Sequence, residues 1–138
     1  MTTAEKTRLL RRLSYLNGAT CATIGAMHVI RGAEGTPGLD EASASEDSQE
    51  AFFGAIFAGY GAIWIWAARQ PLIPAGPVRL LAATMALGGI GRVRSIQRRG
   101  LPHPFWLAMT GVEFVVPGLF LWLAGSDASA SAAGADRT

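Results

Sequence analysis

A single cysteine, Cys21, is the only thiol in the sequence. One thiol excludes a disulfide within the chain and any thiolate metal cluster. Histidine is nearly as scarce, and His28 and His103 lack the spacing of a metal-ligand pair. Charge is thin too: charged residues make up 16% of the 138, against about 25% in an average soluble domain. The net charge is only +2, although the pI is near 9.2. The basic residues do not form a nucleic-acid surface. They gather at 6–12 and 92–99, each group beside an apolar run, where membrane-flanking charge falls. A nucleotide loop is missing as well. Gly89-Ile90-Gly91 follows a helix-like run, not a strand, and has no third glycine. The expectation is therefore no cofactor, no metal and no nucleic-acid partner.

What is abundant is apolar surface. Half of the residues are hydrophobic. They concentrate in four segments, 13–30, 51–68, 78–96 and 105–124. Each is about 18–20 residues long, enough to cross a ~30 Å hydrocarbon core as an α-helix. The segments are apolar on most faces, unlike a soluble amphipathic helix. Their many glycines are ordinary inside a membrane. The expected fold is all-α, an integral membrane four-helix bundle over residues 1–125, followed by a disordered low-complexity tail at 126–138. A soluble helical bundle with an unusually apolar core is the competing reading, because the third segment is Ala-rich and the first only modestly apolar. Lys6, Arg8, Arg11 and Arg12 precede the first segment as in a secretory signal. No small-x-small cleavage site follows it and no lipobox precedes Cys21, so the segment is expected to remain as a helix. No internal repeat is present.

Lys and Arg set orientation in a membrane. With the N-terminus inside, seven such residues lie inside (Lys6, Arg8, Arg11, Arg12, Arg69, Arg79, Arg137) and five outside (Arg31, Arg92, Arg94, Arg98, Arg99). The balance becomes seven against three if Arg92 and Arg94 belong to the third helix. Both termini are then expected on the cytoplasmic side of a bacterial inner membrane.

Glu113 is the most informative single residue. It sits inside the fourth segment, about 12 Å along the helix from Phe105. An ionisable group there costs roughly 2.5–3.5 kcal/mol on insertion scales, so it should face the bundle interior and have a partner. Arg92, roughly 9 Å before Arg98 on the third helix, lies at matching depth across a short turn. The expected pair is Arg92–Glu113, with Arg94 as the alternative partner, and its role is either to pin two helices or to bind a ligand. Ser95 and His28 are candidate second members of the same site, although a lone histidine near a helix end is more often interfacial. Pro117 cannot hydrogen-bond the Glu113 carbonyl, which should leave a free acceptor and a kink beside the acid. Glu50 reads as a favourable charge near a helix N-terminus. Tyr60, Trp64 and Trp66 read as packing or interfacial residues. Small residues four apart predict close helix approach along Gly18/Ala22/Ala26, Gly54/Ala58/Ala62 and Ala82/Ala86.

The stretches SEDSQEAFFGAIFAGYGAIWIWAARQ, GGIGRVRSIQRRGLPHPFW and GVEFVVPGLFLWLA together resemble the DUF4345 family, small bacterial proteins predicted to have four transmembrane helices. The resemblance covers nearly the whole chain and implies fold and location, not a reaction. In that family a basic residue often precedes the aromatic pair that opens the second helix; Ala51 stands there in this sequence. The leading functional expectation is a membrane protein that binds a lipid or a protein partner, with Arg92, Glu113, Ser95 and His28 as binding residues. A homo-oligomer is one form such a partner could take. The alternative is a small membrane enzyme on a lipophilic substrate with Glu113 as acid/base. A proton-coupled small-solute transporter, acting as an oligomer, comes third. Orientation gives the first prediction. Residues 31–50 read as a polar, strongly acidic loop and 69–77 as a short Pro-rich turn; cysteines placed in 31–50 should react with an impermeant reagent on intact cells, and cysteines in 69–77 should not. The reverse labelling pattern would overturn the orientation.

Overall fold

The computed structural model describes residues 1–34, 36–39 and 41–125 with their side chains, and the backbone alone over 126–135. The tail expected at 126–138 therefore lies outside the fully described residues. Four α-helices follow one another: α1 (Thr3–Arg31), α2 (Ala44–Arg69), α3 (Ala75–Arg99) and α4 (Pro104–Ala135). No strand occurs among the described residues. Each helix contains one of the four expected segments and extends beyond it, and polar residues cap the starts of α1 and α2. Thr2 and Glu5 form a capping box, with Thr2 N–H donating to Glu5 Oε2 at 2.6 Å. Ser43 and Glu46 repeat it at α2, with Ser43 N–H donating to Glu46 Oε2 at 2.8 Å. The stretch 44–50, which reads as polar loop in the sequence, is thus the start of α2. The bonds from Ser43, backbone first and hydroxyl second, hold the Glu46 carboxyl below its ordinary value. That contribution to stability is lost as pH falls through the lowered value. Gly32 (φ 58°) and Gly100 (φ 88°) stop α1 and α3 in a conformation that suits glycine.

Each helix packs against its neighbours in sequence, and α4 closes back on α1, giving an up-down-up-down bundle. The α1–α2 and α3–α4 contacts are far more extensive than those between the two hairpins. In the first hairpin the reason is glycine. A Cβ on Gly18 would meet Gly61 O at 2.8 Å, and one on Gly25 would overlap the backbone of Ala58 and Gly54. The close-approach stripe is therefore Gly18/Ala22/Gly25 against Gly54/Ala58/Gly61. Ala26 and Ala62, expected in it, are exposed. Glycine, with no Cβ at all, permits a closer approach than alanine.

The apolar core lies where α1 and α3 begin and α2 ends. Leu10, Trp64, Val78, Leu81, Phe120 and Leu123 fill it. The Trp64 and Phe120 rings stand 4.3 Å apart, and Tyr60 O–H donates to Leu81 O at 2.6 Å. Trp66 is exposed. Arg11 closes this end by donating to Ala68 O, Gln70 O and Pro71 O at 2.6, 2.8 and 2.9 Å, which satisfies carbonyls at and beyond the α2 terminus. Arg79 donates to Ala124 O at 3.3 Å, and Lys6 sits 4.7 Å above the Trp122 ring.

Among the described residues, α2 and α4 are long and apolar enough to cross a membrane. Their most apolar windows are only 28% and 22% buried inside the bundle, so most of that apolar surface points outward. By length and composition alone α1 and α3 do not reach the same standard.

The glycine interface makes a prediction. Gly25→Ala and Gly61→Ala should lower stability by about 1–3 kcal/mol through overpacking. Gly59→Ala, with open space around the new Cβ, should be neutral or slightly stabilising, since alanine favours helix. Thermal unfolding of the three variants checks this; equal effects at all three positions would contradict the glycine contact.

Candidate functional site

The third helix does not stop at Gly91; it runs on to Arg99, so Arg92 and Arg94 are helical residues. Gly89 sets the distance to α4. A Cβ there would stand 2.9 Å from the Phe114 ring and 3.2 Å from Glu113 Cβ. One turn further, Arg92 lies over Glu113. Its Nε–H is shared between both carboxylate oxygens, each at 2.9 Å. The pair is half-buried, with side-chain exposures of 35% for Arg92 and 19% for Glu113. Gly88 leaves room beside the carboxylate, since a Cβ there would come no closer than 3.7 Å to it.

Trp106 completes the arrangement. It precedes Glu113 by two helical turns, so the two share a face of α4. The guanidinium carbon of Arg92 stands 4.8 Å from the Trp106 ring centre, a cation–π contact. The Trp106 Nε1–H donates to Pro37 O at 2.7 Å, which ties the connection between α1 and α2 to α4. His103 backs the same connection, lying against Gly38, and accepts from Phe105 N–H at 3.3 Å at the start of α4. The sequence signal for Trp106 is its seven-residue spacing from Glu113, which a reading centred on charged residues passes over.

The other expected members lie elsewhere. His28 Nδ1 is 3.0 Å from Glu50 Oε2, without hydrogen-bond alignment. That pair belongs to the α1–α2 hairpin, and no described contact joins it to Glu113. Glu50, expected near a helix N-terminus, lies in the second turn of α2 because the helix starts at Ala44; Glu46 and Asp47 take the first turn. Ser95 is exposed and makes no described contact with Arg92 or Glu113. Arg94 donates weakly to Gln97 at 3.4 Å and is not the partner of Glu113. Pro117 is buried within α4, which continues through it. Among the described residues no cluster of His, Cys, Asp or Glu could hold a metal ion.

The profile of the family described as domain of unknown function DUF4345 matches residues 9–124. The chain belongs to the DUF4345 family. No curated protein and no solved structure matches it. The DUF4345 match takes in the glycine interface, the Trp64 core, Arg92, Trp106 and Glu113. It begins after the Thr2 cap and ends at Ala124, so the site lies wholly within the DUF4345 region.

A double-mutant cycle measures the pair in this DUF4345 protein. Glu113→Gln and Arg92→Gln should each cost about 1.5–3 kcal/mol, the range of a hydrogen bond to a charged group. The double variant should lose less than the sum, with a coupling of about 0.5–3 kcal/mol in thermal or denaturant unfolding. Purely additive losses would mean that the two side chains do not interact.

Proposed function

We propose that this DUF4345 protein is an integral membrane protein in which all four helices span the bilayer, and that it binds a membrane amphiphile at Arg92, Glu113 and Trp106. Every helix carries exposed large apolar side chains: Leu16, Ile24 and Ile30 on α1, Phe52, Phe53 and Ile56 on α2, Leu80, Leu87 and Ile90 on α3, Val115 and Trp122 on α4. Surface of this extent is unusual for a monomer in water, and lipid is its natural cover. On the less apolar helices, Ser14 of α1 is buried and Arg92 of α3 is directed at Glu113. The basic groups at Lys6, Arg8, Arg11, Arg12, Arg69 and Arg79 collect at one end, which supports a cytoplasmic N-terminus.

The observation that carries the binding reading is a half-exposed ion pair bordered by exposed Val93, Phe105, Val112 and Phe114. Polar and apolar surface meet there, as they do in an amphiphile. Both Glu113 oxygens already accept from Arg92 Nε. The carboxylate is already engaged by Arg92, which favours a binding role over an acid/base one.

The test combines alkaline carbonate extraction with photocrosslinking to a diazirine fatty acid in the membrane. The protein should stay in the membrane pellet. Labelling of peptides within 88–113 should fall several-fold when Arg92 and Glu113 are both changed to Gln, while labelling of α1 and α2 stays constant. Release by carbonate would refute the membrane reading, and unchanged labelling would refute the site.

A further inference from the structure

We infer that the polar group recognised at Arg92 is a phosphate; this deepens the amphiphile-binding reading above and rests on it. A guanidinium has five N–H donors in a planar fork. Arg92 spends only Nε–H on Glu113. Among the described residues its Nη1 and Nη2 groups make no hydrogen bond. This is not a loose side chain. Glu113 fixes the guanidinium at one edge and the Trp106 ring fixes its plane. The remaining edge is a preorganised bidentate donor, the geometry that suits an anionic oxygen pair.

Two further features select phosphate over carboxylate. Glu113 already balances the Arg92 charge, so attraction for a second anion must come from elsewhere. Arg99 supplies it. It lies two turns beyond Arg92 on the same face of α3, about 10 Å away, exposed and without a partner among the described residues. The first turn of α4, across the short turn, has no acidic residue to compete for it. A carboxylate would use both of its oxygens on the Arg92 fork. A tetrahedral phosphate accepts the fork and keeps another oxygen directed toward Arg99. Arg99 stands at the end of α3, where phosphate headgroups lie, and Arg92 lies about 10 Å deeper on the same face.

The experiment presents the purified full chain, in detergent, with phosphatidylglycerol or with diacylglycerol of the same acyl chains, and reads retention by native mass spectrometry. The wild type should retain phosphatidylglycerol about tenfold more than diacylglycerol, the scale of one charge-assisted contact. Arg92→Lys keeps a positive charge for Glu113 but has no fork, and should abolish the preference. Arg99→Gln, on an exposed helix end, should weaken it without altering the melting temperature, which covers the case of an unstable Arg92→Lys. Competition by millimolar inorganic phosphate would assign the site to phosphate in general. No competition would assign it to a lipid headgroup. Equal retention of the two lipids by the wild type would overturn the phosphate inference and leave amphiphile binding intact, as would an unchanged preference in both variants. Retention of neither lipid would overturn both.

Discussion

The Arg92 Nε–H shared between the two oxygens of Glu113 is the interaction on which the second hairpin depends. An ionised side chain in an apolar helix is costly unless it is paired and hydrogen-bonded. Neighbouring features serve this pairing. Gly89 draws α3 and α4 close enough, Gly88 leaves room for the carboxylate, and Trp106 covers the guanidinium. Through Trp106 and Pro37 the pair also holds the connection between α1 and α2 in place.

The bundle is built differently at its two ends. Around Trp64 it is closed by aromatic and aliphatic packing, with Arg11 satisfying carbonyls at the end of α2 and Arg79 donating to Ala124 O. Around Arg92 the hairpins are joined by polar contacts, and large apolar side chains remain on the outside. Dense packing favours a single rigid arrangement. The same chain thus separates a closely packed apolar end from a polar end along the helix axis.

Much of this was legible in the sequence. Four apolar runs gave four helices, and matched depths across a short turn gave the Arg92–Glu113 pair, because a helix rises by a fixed amount per residue. The helix starts at Thr2 and Ser43 were missed, although Thr2-x-x-Glu5 and Ser43-x-x-Glu46 carry the capping signature. The glycine interface was placed on the right helices but partly on the wrong residues. A strict four-residue spacing runs from Gly18 through Ala22 to Ala26 and passes over Gly25, three residues after Ala22; the packing selects Gly25. His28 was grouped with Glu113 because both are polar in apolar helices. Its partner, Glu50, follows from how α1 and α2 pair, which spacing along one helix does not reveal.

The central claim is that Arg92 and Glu113 are in direct contact through Nε. Solid-state NMR in bilayers measures this most directly, as the dipolar coupling between arginine ¹⁵Nε and glutamate ¹³Cδ, with Glu113→Gln used to identify the signal. The account requires a coupling of hydrogen-bonded strength that disappears in the variant. A spectrum without a coupling that depends on Glu113 would contradict it.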